Sequence, residues 1–381
     1  MNYILFDVNR ESLFPLTHTR PISEIRIGIL TIKEKWVHHI GSEPSTLTTN
    51  YLQAKYPLQK EADNVYINGG VSPNKALVEA IFQLADGEGL YSGDTLLAYR
   101  NAAHQKVSFN GEFTQIEKLW HIFQYNATEL QADFDLLTAG HISKNLSDTN
   151  LVMGSENIFV AEGAKVEGAI LNATTGPIYI GKNAEVMEGS IVRGPLAMCE
   201  HSVLKMGAKI YGATTLGPYC KVGGEVNNSV LIGYSNKGHD GFLGNSVLGE
   251  WCNIGADTNN SNLKNNYTEV RLWSEQAGCF EKTGLQFCGL IMGDHSKCGI
   301  NTMFNTGTVV GVSSNIFGPG FPRNFVPSFA WGGSAGYSTY QLPKVFEVAE
   351  KVMARRGIAF DDKEKVILEQ VFNLTSEQRN F

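Results

Sequence analysis

The sequence predicts an α/β domain at the N-terminus, a parallel β-helix in the middle and helices at the C-terminus. Three observations carry this prediction. Apolar residues recur at every sixth position through Ile180, Val186, Val192, Met198, Leu204, Ile210, Leu216 and Val222. Short apolar strands alternate with amphipathic segments before residue 125. Glycine is abundant, 40 residues of 381, without the Gly-X-Y period of collagen, so many tight turns are expected.

A period of six fits neither helix nor strand alternation, so the chain repeats a larger unit. Each hexapeptide is read as a short strand plus a turn, and three of them make one triangular coil. The residue at the repeat position points into the prism, and each coil buries its face on the next. Val160 and Val166 open the pattern; after Val222 the phase moves to Phe242, Leu248 and Ile254, then to Met292, Cys298, Phe304, Val310 and Ile316. Whole coils preserve phase. The shifts therefore predict insertions leaving the prism at residues 167–179, 225–240 and 259–287, with Gly318-Pro319-Gly320 ending the helix.

Before the repeat, YILFDV and LLAYR read as strands. Ser72-Pro73 followed by Leu77, Ile81 and Leu84 reads as a capped amphipathic helix. Asn126 and Glu129 suggest a capping box for a helix carrying Leu130, Phe134 and Leu137. After the repeat, Pro343 opens a basic helix and Asp361-Asp362 a last one. The expected division is an α/β domain over 1–125, a linker helix over 126–150, the β-helix over 151–320, and a loop with helices over 321–381.

Net charge is −7, and Lys and Arg do not cluster, so nucleic acid is not an expected partner. No run approaches the ~18 apolar residues of a membrane span. The apolar stretch in MNYILFDVNR is too short for a signal h-region. The six cysteines show no C-x-x-C pairing and are read as reduced thiols of a cytoplasmic protein.

His239 in NKGHDGFLGNSVLGEWCNIGADTNNSN is the leading catalytic candidate. Imidazole titrates near neutrality and can take a proton from a reacting amine without being permanently charged. The segments KGH, FLGNSVLG and NIGADT resemble the acetyltransferase half of the bifunctional N-acetylglucosamine-1-phosphate uridylyltransferase/glucosamine-1-phosphate N-acetyltransferases. The resemblance implies a left-handed coil, a homotrimer with coenzyme A between neighbouring prisms, and acetyl transfer from acetyl-CoA to an amino-sugar phosphate. By the same resemblance His239 is the base, Glu225 its orienting or amine-holding carboxylate, and Asn253, Ala256 and Asn262 sugar and coenzyme contacts. Lys205 resembles a basic position of that family. Phe242 replaces a family Tyr and Asn227 a family Lys, which removes a hydroxyl and a charge from the expected substrate contacts.

LFPLTHTRPISEI, residues 13–25, resembles the phosphate-binding segment of sugar-1-phosphate nucleotidyltransferases, although the preceding DVNRES lacks the Gly-rich loop and Ser12 and Ser23 replace its Arg and Lys. Arg10, Arg20, Arg26 and Lys33 are then the expected nucleotide-phosphate contacts, and Asp94 in SGDTLLA the expected Mg²⁺ ligand. The whole chain resembles the divergent GlmU-like sugar nucleotidyltransferases of Bacteroidetes. That implies a two-domain enzyme of the UDP-N-acetylglucosamine pathway, taking a nucleoside triphosphate, a sugar phosphate and acetyl-CoA. Two alternatives stand beside it. One is a nucleotidyltransferase, such as a glucose-1-phosphate thymidylyltransferase, whose β-helix only oligomerises. The other is a non-catalytic trimeric scaffold.

Overall fold

The computed structural model describes residues 1–381. Six strands, β1 (Asn2–Phe6), β2 (Ser45–Leu47), β3 (Asn64–Asn68), β4 (Glu88–Ser92), β5 (Thr95–Arg100) and β6 (Gln105–Ser108), form one mixed sheet in the order β2-β1-β3-β5-β4-β6. Helices Ile32–Ile40 and Lys75–Phe82 pack on it. The second of these is capped by Asn74, whose side chain accepts from Leu77 N at 3.0 Å, rather than by Ser72. No helix is long and apolar enough to cross a membrane.

From Leu151 the chain winds into a parallel β-helix with three faces. One face holds nine strands and another six; on the third, five strands run from Lys165–Val166 to Asn236–Lys237. The prism interior is an aliphatic stack. Ile180, Met198, Leu216, Leu231, Leu248, Met292, Val310 and Val326 lie on one line of the nine-strand ladder, each buried. Burying each such side chain is worth about 1.5–3 kcal/mol, which is why the repeat position tolerates little but aliphatics.

Two of the three expected insertions are not loops. Residues 225–240 contain strands Glu225–Asn227, Val230–Gly233 and Asn236–Lys237, all inside the coil. The phase moves because Leu216 and Leu231 are fifteen residues apart instead of the eighteen between Met198 and Leu216, so corners have tightened. Residues 167–179 likewise hold strand Ile170–Asn172, with two extra residues in that coil. Shortening and lengthening a corner shift phase as an insertion does. In the third, Asn259–Asn260 still pair in the coil with Met303–Phe304, and the residues after them leave the prism as an arm with an antiparallel hairpin, Arg271–Ser274 against Cys279–Lys282. Leu243, paired in register with Val226, takes the interior place expected for Phe242, which points outward. The coil also continues past Gly320 through Ala330–Gly333 and is closed by the antiparallel strand Gly336–Thr339.

At one corner of successive coils, His201, Tyr219, Tyr234, Trp251 and His295 all adopt a left-handed backbone, with φ from 53° to 61°. Their rings stack down the corner, Tyr234 on Trp251 at 4.3 Å between centroids. The conformation is costly for a side chain with a Cβ, and aromatic stacking of about 0.5–1.5 kcal/mol per pair offsets it.

The nine-strand face is covered by the N-terminal domain. Val230, Ile232, Val247, Ile291 and Val309 from its outer surface belong to the same apolar cluster as Leu5, Ile25 and Trp36. The helix Asn126–Thr138 runs over it as well. Its expected capping box is absent: Asn126 is wholly buried, accepts from Gly28 N at 2.7 Å and donates to Ala213 O at 2.9 Å, while Glu129 pairs with Lys35. Asn126 thus joins the domains instead of capping. The C-terminal helices Leu342–Ala354 and Asp362–Leu374 pack on the end of the corner stack through Trp251, Val312 and Phe329.

Candidate functional site

A groove of about 630 Å³ runs along the third face beneath the end of helix Leu342–Ala354. It collects four of the expected residues, His239, Lys205, Asn253 and Ala256. Its outward row is set by the ladder: Lys221, Asn236, Asn253 and Lys297 stand at equivalent positions of successive coils. Gly238 precedes His239 at the corner leaving this face, so the imidazole sits on the scaffold itself and not on a projecting loop.

Sequence reasoning missed half of the wall. Lys221, Lys297, Arg355 and Arg356 join Lys205 there, and no carboxylate lines the groove. Arg356 Nη2 donates to Asn236 Oδ1 at 3.2 Å, which ties the C-terminal helix to the ladder row. Tyr234 and Trp251 supply an apolar edge. The concentration of cations is visible in Lys221: partial burial, then Arg356, Lys205 and Arg355, push its ammonium below its ordinary pKa. Lys297 falls further, to about 8, chiefly because it is buried. A cleft lined by one sign of charge attracts anions. The sequence signal was available in the MARRG ending of the helix and in Lys221, which stands in the ladder beside Val203, two residues before Lys205.

The other expected residues of the β-helix lie around the corner on the six-strand face. Glu225 Oε1 accepts from Tyr211 Oη at 2.6 Å and makes no hydrogen bond with His239, so within one chain it does not orient the imidazole. Phe242 pairs in register with Glu225. Its ring and the Asn262 amide close over Gly244, where a Cβ would lie 2.5 Å from Phe242 Cζ and 2.7 Å from Asn262 Nδ2. Asn262 Nδ2 donates to Asn245 Oδ1 at 2.8 Å. This face exposes Leu151, Ile191 and Tyr211.

The arginines expected to hold nucleotide phosphates are mostly engaged elsewhere. Arg20 is buried between the domains, paired with Asp294 and 3.4 Å from Glu250, both of the β-helix. Arg26 is buried too and donates to the carbonyls of Ile232 and Ile29 and to Glu34. Lys33 bridges Glu43 at 2.7 Å and Glu24 at 3.6 Å. These three hold the N-terminal domain together and onto the prism, a duty that leaves no free charge for a phosphate. Arg10 differs. It is packed against the rings of Phe14 and Tyr51, bonded to Tyr51 Oη and to the Thr17 carbonyl, yet borders a second cavity of about 520 Å³ with Thr49, His18 and Glu275.

Asp94 does not fit a Mg²⁺ site. It tips the β4–β5 hairpin, fully exposed, with Lys106 at 3.8 Å as its charged neighbour. No group of three or more His, Cys, Asp or Glu side chains is gathered to share a metal ion. All six cysteines are free thiols, five of them buried.

Residues 3–142 match the family model described as sugar nucleotidyl transferase. No curated protein matches the chain. Among solved structures, it is similar to LpxA, a UDP-N-acetylglucosamine acyltransferase from Bacteroides fragilis, at 16% identity over 62% of this chain and 84% of that one, with a TM-score of 0.27. By its N-terminal match the chain is a transferase.

Proposed function

We propose that this chain is an enzyme of nucleotide-sugar synthesis whose β-helix transfers an acetyl group from acetyl-CoA to the amine of an amino-sugar 1-phosphate. The single observation that carries the reading is the groove: an imidazole at a rigid corner beside five cations and no carboxylate. Coenzyme A brings a pyrophosphate and a further phosphate, which suit the cationic wall. His239 takes a proton from the sugar ammonium, the freed nitrogen attacks the thioester carbonyl, and the carbon–sulfur bond breaks to release the thiol. The imidazole makes no hydrogen bond within the chain and is open to that amine. In a homotrimer the six-strand face, with Glu225, Phe242 and Asn262, would meet a neighbouring prism and bring those side chains to the groove of the next copy.

Nucleotidyl transfer to a sugar 1-phosphate belongs in this reading to the N-terminal domain, with the cavity beside Arg10 as its place. Mg²⁺ would need ligands other than Asp94.

Free thiol released from acetyl-CoA in the presence of glucosamine 1-phosphate tests the reading. Wild-type turnover is expected, with His239→Ala reducing kcat by about 10²–10⁴-fold, the range of a general base. A second reading, nucleotidyl transfer with the β-helix as an oligomerising platform, is favoured by the exposed apolar six-strand face and by the engagement of Glu225 with Tyr211. Pyrophosphate release from a nucleoside triphosphate without any thiol release would select it.

A further inference from the structure

One residue of the aliphatic stack is a cation. Lys237 stands in register with Val222, an interior position that aliphatic side chains fill in the neighbouring coils, and is only 2% exposed. Its ammonium donates to the carbonyl oxygen of His239 at 2.6 Å. A leucine would fill the prism without the cost of removing an ammonium from water, so packing does not explain the lysine.

The corner it serves is one that needs tying. Gly238-His239-Asp240-Gly241 leaves the face with glycine on either side, and Gly241 has φ +111°. Backbone hydrogen bonds fix its margins, Gly223 N to Lys237 O and Glu225 N to Gly241 O, and Asp257 N donates to Asp240 O. His239 itself is held only by Lys237. We infer that Lys237 is a positioning residue: from inside the prism it locks the carbonyl of His239 and so fixes the direction in which the imidazole faces the groove. The inference rests on the reading of His239 as the base. Lys237 points away from the groove and does not touch substrate.

The charges facing Lys237 are Asp240 of its own corner and Asp257 of the next coil, with the Cys298 thiol of the coil after that. Burial outweighs them and lowers the ammonium to about 8. The lock is therefore a charged one below pH 8 and a neutral, weaker one above it.

The test uses the full-length protein with its histidine rings isotopically labelled at Cε1, the His239 resonance being assigned by its loss in His239→Gln. In the wild type this resonance is expected to be single and to show a step with a midpoint near pH 8, where Lys237 loses its proton. In Lys237→Met, which keeps the volume, that step should vanish and the resonance should broaden or split. Acetyl transfer should lose about 10–100-fold in kcat, as for a base displaced by about 1 Å, with KM for acetyl-CoA unchanged. Urea unfolding of Lys237→Met should show it no less stable than the wild type, so that lost turnover is not lost fold. A His239 resonance identical in wild type and Lys237→Met overturns the inference, as does an undiminished kcat. A wild type without acetyl transfer would sink the functional reading alone, because the resonance still reports whether the lysine holds the corner.

Discussion

His295 lies under Trp251 at the bottom of the ring stack, and burial, then the charges of Lys297 and Lys55, hold its pKa down at about 3. In the unfolded chain it binds a proton near 6.5. Between those values the unfolded state holds more protons, so stability falls as pH drops from 6.5 toward 3. Urea midpoints across that range should slide downward, and His295→Asn should flatten the slope by about one proton. On the alkaline side Lys237 and Lys297, both lowered to about 8 by burial, also leave the unfolded state with more protons, so stability rises from pH 8 upward. Above pH 9 the buried thiols act oppositely. Burial raises Cys199 to about 11 and Cys220 and Cys288 to about 12, so the unfolded state ionises first and stability falls. A stability maximum near pH 9 is the expected result, read from the same denaturation series. Little of this was legible beforehand. The six-residue period places Lys237 at a stack position only once the shortened coil is known, and a histidine between glycines reads as a loop residue until its neighbours are placed.

Coil length explains both what the pattern of apolar residues predicted and what it missed. The stack from Ile180 to Val222 is interior as the period required, because eighteen-residue coils keep register. Where a coil loses three residues, the direction of the change cannot be read from phase alone, since an added arm and a tightened corner both displace the repeat. Glycine marks the tight places. A Cβ at Gly217 would lie 1.9 Å from the carbonyl oxygen of Ile232, in the shortened coil, whereas one at Gly207 meets nothing within 4 Å. Gly217→Ala is therefore expected to cost about 3 kcal/mol or more through forced backbone movement. Gly207→Ala should cost only about 1 kcal/mol, from its left-handed φ of 71°. Thermal unfolding of the pair decides it; equal losses would mean that the corner has slack. The failed capping box has a similar cause. Asn126 and Glu129 have the right spacing, but two buried bonds to the Gly28 amide and the Ala213 carbonyl claim the Asn, a tertiary demand that no local window displays.

The two domains share one apolar cluster, and the polar part of their contact is buried as well. Asp294 accepts from Arg20, from Thr19 Oγ1 at 2.7 Å and from Glu250 N at 2.9 Å. Asp133 receives Ile29 N, Leu30 N and Lys35 around the same seam. The TRP segment that resembles a phosphate loop is thus spent on docking, which is why its function could not be read from the motif alone. Glu250 and Asp294 immediately precede Trp251 and His295 in the chain, so this ion pair also sets the apolar edge of the groove. Removing Arg20 leaves a buried carboxylate without its cation, a change that costs about 3–5 kcal/mol. Arg20→Met should therefore lower the unfolding midpoint strongly, and Arg20→Met with Asp294→Asn should recover much of the loss, since the pair then has no charge to strand. Because the seam is continuous with the core, circular dichroism and Trp fluorescence should report one coincident transition in the wild type. In Arg20→Met the N-terminal sheet is expected to separate and melt first. Two transitions in the wild type would mean that the domains are merely adjacent. If Arg20 instead served a bound phosphate, the double variant would regain stability yet lose nucleoside triphosphate binding in calorimetry, whereas docking alone predicts that both return together.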